Sequence, residues 1–320
     1  MKRRSLIQSL GAAALVGTPL FPAELGRIPP LPSAGLHDSD PELYWGKIRK
    51  EQFLLPEQRA FLNTGTLGVA PKPVLAATIK YLLSSADLTV DALPRWGGEP
   101  LDDLRTDLAD FAGCDKDEIA LTHNTTEAMN IVANGLDLKP GDEVLLTDQE
   151  HPGGTHCWSQ KEARFGIRVR KVKIPVLPKH PEDIASALID AIGPRTRVIS
   201  FSGFTSPTGL LLPVRVICDA ARAKGVTTVV DGAHMPGQAS LDLRELGCDY
   251  LAASPHKWML TPCGPLWMSS LILSSMSLMW YSARSIFNRE PSKVSGIANG
   301  GIRFETWREC CRKARLQSTT

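Results

Sequence analysis

The chain carries almost no excess charge of either sign: 36 basic against 34 acidic residues leave a net +2. No basic run occurs in its body. That balance argues against a nucleic-acid or membrane-surface role, which needs a concentrated positive field. The seven cysteines, at 114, 157, 218, 248, 263, 310 and 311, form no CxxC pair and no clustered His/Cys ligand set. An odd count at irregular spacing reads as buried thiols, not a disulfide framework or a zinc site. A glycine-rich phosphate fingerprint after an early strand is also missing, which counts against a nucleotide-binding α/β protein. No internal repeat is evident. What is present is ordinary for a globular protein: 43% hydrophobic and 22% charged residues over 320 positions, enough for one large domain or two smaller ones.

The N-terminus stands apart. Lys2-Arg3-Arg4-Ser5-Leu6-Ile7 precedes an apolar stretch from Leu10 to Leu20 and small residues up to Ala23. A basic head and a short apolar core predict a secretory signal over 1–23, and the paired arginines resemble the twin-arginine type, which exports folded proteins. The expected location is periplasmic, with no stable membrane span once the signal is removed. An amphipathic start or a single-span anchor is the alternative. Residues 24–40, rich in proline, glycine and serine, read as a linker.

From about residue 100 to 256, short apolar runs alternate with helical patterns. Strands are expected at Glu118–Thr122, Glu143–Thr147, Arg168–Ile174, Arg197–Phe201 and Val226–Val230. Helices are expected at Thr126–Leu136, Thr155–Phe165, Glu182–Ile192 and Val214–Lys224. Strands separated by helices of this length imply crossover connections and a mostly parallel sheet flanked by helices, an α/β fold. In such sheets ligands sit beyond the carboxyl ends of the strands.

Several polar residues fall at those ends. Lys257 lies in Ala252-Ala-Ser254-Pro-His256-Lys-Trp258. A lysine amine held neutral in a partly dry pocket can form a Schiff base with an aldehyde, Ser254 and His256 can hold a phosphate, and Trp258 can shield the bond from water. Upstream, Asp231 ends the apolar run Thr227-Thr-Val-Val230, where a desolvated carboxylate gains from a cationic partner such as a pyridinium. His234, three residues on, can reach a ring hydroxyl. A lysine for the aldehyde, an anion for the ring nitrogen and donors for the phosphate are what pyridoxal 5'-phosphate (PLP) requires. Thr125 and Thr126 open a predicted helix, whose free N–H groups bind phosphate or form a plain N-cap. His151 can lie on a ring and shuttle protons, or be a satisfied structural histidine. Ser206, in Ser202-Gly-Phe-Thr-Ser206-Pro-Thr-Gly209, can bond a ring oxygen or a substrate, or belong to an ordinary turn. Asp231 as a helix cap is likewise open.

The ordered set Asn63-Thr-Gly-Thr-Leu-Gly, Thr125-Thr-Glu-Ala-Met-Asn, Glu150-His-Pro, Ser206-Pro-Thr-Gly, Asp231-Gly-Ala-His and Ser254-Pro-His-Lys resembles the class V aminotransferase family of fold-type I PLP enzymes. The Asp-Gly-Ala-His and Ser-Pro-His-Lys-Trp forms are most similar to its isopenicillin N epimerase-like branch. The resemblance covers roughly residues 55–268 and implies the large domain of a PLP-dependent transferase. It also implies PLP as cofactor, an amino acid as substrate and a homodimer where the fold is complete. Lys257 would carry the cofactor and shuttle the α-proton, Asp231 would pair with the pyridine nitrogen, and His151 would stack on the ring. Thr125, Thr126, Ser254 and His256 would hold the phosphate. His234 stands where cysteine desulfurases usually carry glutamine, and Ser206 where many relatives have asparagine. No cysteine sits in a recognisable mobile loop after Lys257, which counts against desulfuration. Epimerisation, transamination and elimination all stay open, as does a catalytically inactive PLP-binding protein.

After Met268 the resemblance fades. Ser269–Trp280 has no family match, and Arg303-Phe-Glu-Thr-Trp307 looks like the family's Arg-Phe-Glu segment before the chain departs again. The expected organisation is therefore a signal over 1–23, a linker over 24–40 and a PLP-binding domain with an N-terminal arm over 41–268. Residues 269–320 would be an atypical remnant of a small C-terminal domain that is largely missing. A truncation or frameshift, or an authentic compact variant, would account for it.

Overall fold

In a computed structural model, the structure describes residues 28–86, 99–262 and 270–274. The expected signal over 1–23 and most of the expected C-terminal remnant lie outside these residues. The chain divides into two units, one holding residues up to 62 with 70–82, the other holding 63–69 with everything from 83 onward.

Within the first unit, helix α1 (Ala34–Ser39) and helix α2 (Pro41–Gln52) follow one another directly. Asp40 ends the first and caps the second, its carboxylate accepting from the Leu43 amide at 3.0 Å, and Pro41 fits the first helical turn because its missing N–H is not needed there. Part of the expected linker is thus helical. His37, Tyr44 and Trp45 form an edge-to-face aromatic group with centroids 5.2–6.0 Å apart. Helix α3 spans Lys72–Ala86.

The second unit holds a seven-stranded sheet. Its elements are α4 (Glu99–Ala112), β1 (Ile119–Thr122), α5 (Thr125–Gly135), β2 (Glu143–Thr147), α6 (Pro152–Phe165) and β3 (Arg168–Val172). They continue with α7 (Pro181–Asp190), β4 (Thr196–Ser202), α8 (Val214–Ala223), β5 (Thr227–Gly232), α9 (Leu243–Leu246), β6 (Tyr250–Ala253) and β7 (Ser270–Ser274). The strand order is β1-β7-β6-β5-β4-β2-β3. Strands β2 to β6 pair in parallel, and β7 runs antiparallel to both β1 and β6. A mostly parallel sheet flanked by helices is therefore the observed fold. The expected boundary at residue 268 cuts through this sheet, because Ser270–Ser274 fills the gap between β1 and β6.

Parallel strands covered on both faces must be apolar on both, and β2, β4, β5 and β6 are, whereas β3, at the sheet edge, is polar and largely exposed. Leu145, Ile199, Phe201, Val230 and Leu251 face one core with Ile184, Leu188, Ile217 and Ala221 of α7 and α8. Val144, Leu146, Val198, Val229 and Tyr250 face the other with Met129, Val132, Cys157 and Trp158 of α5 and α6. Cysteines 114, 157, 218 and 248 are free and buried, as expected of thiols used for packing; the other three lie outside the described residues. Among the described residues no His/Cys/Asp/Glu group could hold a metal, and no helix is long and apolar enough to cross a membrane.

Candidate active site

The register brings the carboxyl ends of the central strands into one row. Ser202 of β4 pairs with Asp231 of β5, which pairs with Ala252 of β6. The turn that follows β6 carries Ser254, His256 and Lys257, closed by the Lys257 amide on the Ser254 carbonyl at 3.3 Å. Ser254 and His256 are buried. The turn is pinned from outside by residues 63–69: the Gly68 amide donates to the His256 carbonyl at 2.8 Å. Only glycine fits at 68, since a methyl group there would lie 2.0 Å from the Lys257 carbonyl oxygen.

Lys257 Nζ stands 3.2 Å from His234 Nε2, and the indole N–H of Trp258 donates to His234 Nδ1 at 3.1 Å. Half-burial disfavours the ammonium and lowers the Lys257 pKa, while the charge of Asp231 pulls it back up. A buried lysine with a lowered pKa is what a carbonyl-capturing amine needs.

Asp231 lies within β5, one residue before its end at Gly232, and is only 5% exposed. Burial raises its pKa; the Ala233 N–H, Lys257 and His151 oppose that rise. Its Oδ1 accepts from the Ala233 amide at 3.0 Å. Its Oδ2 faces Gly154, where a methyl group would come within 2.7 Å, and takes no hydrogen bond among the described residues. A carboxylate on so buried a residue is costly unless its free oxygen meets a cationic donor. A protonated pyridine supplies one, so the residues present fit PLP.

His151 caps α6, its Nδ1 accepting from the Gly153 amide at 3.0 Å, so the neutral ring carries its proton on Nε2. Helix α6 starts at Pro152, ahead of the expected Thr155, because proline suits the first turn and Gly153 and Gly154 are tolerated where Thr126 and Asp231 press against them. Asn124, and neither threonine, caps α5, its side chain accepting from the Glu127 amide at 2.8 Å. That frees the Thr125 hydroxyl, which hydrogen-bonds to the Ser254 hydroxyl and joins the start of α5 to the Lys257 turn. Thr126 is exposed beside Gly153. Together these groups place two hydroxyls and a helix N-terminus at the edge of the site, donors of the kind a phosphate takes. Ser206 is exposed on the turn Thr205–Gly209, and no hydrogen bond joins it to the other site residues.

Glu150 enters the site without having been singled out. Its carboxylate accepts from the Thr147 hydroxyl, from the Ser202 hydroxyl at 2.6 Å and from the Ser202 amide at 3.2 Å. Burial, with a contribution from the nearby Asp231, pushes its pKa up to about 7 against the pull of those donors. The signal that could have found it is an acid three residues past the end of an apolar strand of a parallel sheet.

The family profile Aminotransferase class-V matches residues 61–305. Isopenicillin N epimerase of Streptomyces clavuligerus is 40% identical over 220 residues, which are 69% of this chain and 55% of that protein. A probable cysteine desulfurase of Pyrococcus abyssi is 29% identical over 222 residues, 68% of this chain and 54% of that one. The chain thus spans about half the length of the curated relatives it matches. Among solved structures, a mutant of C-DES with glycine covalently linked to its PLP cofactor superposes with a TM-score of 0.66 at 30% identity, covering 80% of this chain and 68% of the other. The cystine C–S lyase C-DES bound to its product, cysteine persulfide, superposes with a TM-score of 0.65, covering 78% and 67%. The fold, the lysine–aspartate–histidine grouping at the strand ends and these likenesses agree: the chain belongs to the class-V aminotransferase family, whose cofactor is PLP.

Proposed function

We propose that this protein holds PLP on Lys257 and acts at the α-carbon of an amino acid. The observation that carries this reading is the convergence of Lys257, His234 and Asp231, in which a half-buried amine with a lowered pKa lies in the field of a buried carboxylate. Bound PLP supplies an electron sink for negative charge developing at the substrate's α-carbon. Asp231 keeps the ring nitrogen protonated through its Oδ2. Thr125, Thr126, Ser254 and His256 hold the phosphate, His151 covers a ring face, and Ser206 offers a hydroxyl at the rim. Lys257 would hold the cofactor's aldehyde carbon, and the same amine would serve as the base and acid for the α-proton.

Epimerisation has the best support among the outcomes, because isopenicillin N epimerases reach 40% and 39% identity whereas the desulfurase of Pyrococcus abyssi reaches 29%. Transamination and elimination use the same residues. A homodimer and export of the folded chain on residues 1–23 belong to the same proposal. Replacing Arg3 and Arg4 together by lysine should retain the chain inside the cell.

The deciding experiment is an absorption spectrum of the full chain with PLP, beside Lys257→Ala, before and after borohydride. A visible band that borohydride bleaches and locks covalently to Lys257 supports the reading, and a colourless protein overturns it. Candidate amino acids are then incubated in heavy water and their α-protons followed by NMR. Exchange identifies α-carbon chemistry, whereas an intact band with no exchange on any amino acid identifies a PLP-binding protein without catalysis.

A further inference from the structure

Trp258 lies one residue past Lys257, and its side chain contacts the ring that faces the lysine. The indole Nε1 donates to His234 Nδ1 at 3.1 Å, and on the opposite edge of the ring Nε2 stands 3.2 Å from Lys257 Nζ. An indole N–H can only donate, so Nδ1 must present its lone pair to it. The single proton of a neutral imidazole then lies on Nε2 and points at the lysine amine. Flipping the ring would put carbon at both contacts and lose both hydrogen bonds. An ammonium facing Nε2–H would set donor against donor, whereas a neutral amine accepts through its lone pair. The ring is also held in place: a methyl group on Gly65 would come 3.1 Å from His234 Cε1, so the turn of residues 63–69 packs closely against it.

We infer that Trp258 is a positioning residue that fixes His234 in the Nε2-protonated tautomer and, through it, holds the Lys257 amine neutral. The inference deepens the assignment of Lys257 as the PLP-holding amine and rests on it for its chemical use. The groups facing this relay act in both directions. Asp231 of β5 favours the ammonium form of Lys257, while burial opposes it. Burial is the main reason that the His234 pKa is pushed down to about 4, and an ammonium on Lys257 would act in the same direction, so the ring stays neutral near pH 7. His256 lies buried one residue before Lys257, and the turn of residues 63–69 brings no titratable side chain.

The test is nitrogen-15 NMR of the histidine-labelled full chain, with the His234 signals identified by their loss in His234→Gln. A ring protonated on Nε2 and bare on Nδ1 between about pH 6 and 8 is expected. A proton on Nδ1, or an imidazolium in that range, overturns the inference whether or not Trp258→Phe folds. In Trp258→Phe the tautomers should mix. The pH midpoint for capture of PLP by Lys257, trapped with borohydride on the cofactor-free chain, should then rise by about one unit, the effect of one lost hydrogen bond. An unchanged tautomer overturns the role of Trp258, and a mixed tautomer with an unchanged midpoint overturns the link to Lys257. Failure of the PLP assignment would show separately, as wild-type protein that traps no cofactor while its tautomer is still readable.

Discussion

Gly154 and Asp231 share a space too narrow for a side chain on both: a methyl group built on Gly154 would sit 2.7 Å from Asp231 Oδ2. The start of α6 thereby presses the carboxylate into its place at the end of β5. Gly154→Ala should move that oxygen and weaken PLP binding by about tenfold or more, since overpacking a buried site costs about 1–3 kcal/mol. Titrating the visible band with PLP measures the loss. Unchanged affinity would mean that Asp231 has room to spare.

Asp231 should have opposite effects on the cofactor-free and loaded chain. Its pKa lies above the ordinary 3.8 because it is buried. The stability it contributes is therefore present below that ordinary value and lost as pH rises through the raised one. At pH 7, Asp231→Asn should raise the melting temperature of the cofactor-free chain and lower the affinity for PLP. Thermal melts with and without PLP check both signs; a variant that melts lower without PLP refutes the account.

Glu150 should make stability depend on pH in a particular window. Its pKa rises from the ordinary 4.5 to about 7, so its favourable contribution is complete below 4.5 and gone above about 7. Glu150→Gln keeps the shape and an acceptor for Thr147 and Ser202 while removing the titration. Melting temperatures of the cofactor-free chain measured from about pH 4.5 to 7.5 should fall less steeply in the variant than in the parent. Parallel curves would show that Glu150 does not titrate there.

Lys161 tests the packing of α6 on α5. It is buried, and its ammonium donates at the end of α5 to the Ala133 carbonyl at 2.7 Å and to the Leu136 carbonyl, which also accepts from the Leu138 amide. Lys161→Met should cost about 1–3 kcal/mol by leaving the Ala133 carbonyl without the lysine's hydrogen bond, read as a lower denaturant midpoint. No change in that midpoint would mean that water replaces the lysine.

The alternation of strands and helices was legible because parallel strands covered on both faces read as apolar runs; Glu143–Thr147 was expected with the bounds it has. Strand β6 escaped notice, since Tyr250-Leu-Ala-Ala253 is too short for any periodicity to separate it from a buried helix turn. Strand β7 offers only the three-residue apolar run Leu271-Ile-Leu273 between serines, too short to be told apart from other short apolar runs. Among site residues, Asp231 and His234 were readable from their place at the end of an apolar run and Lys257 from its Ser254-Pro-His-Lys-Trp258 motif, and the structure groups them. The jobs of Trp258, Gly65 and Gly154 depend on contacts across the sheet that local sequence does not encode. Glu150 was quoted within a motif, yet its buried bonds to Ser202 come from the crossover that sets β2 beside β4.

Strand β7 has a bearing on the order of assembly. Strand β1, which leads into Thr125 and Thr126, joins the sheet only through Ser270–Ser274. The parallel block β2 to β6 can form from consecutive units, but β1 must wait for a segment some 150 positions downstream before it has a neighbour to pair with, and pairings of such long separation form slowly. The side of the cleft that carries Thr125 and Thr126 would thus close last, and a nascent chain stalled before residue 270 would display a bare strand edge, open to association with other chains.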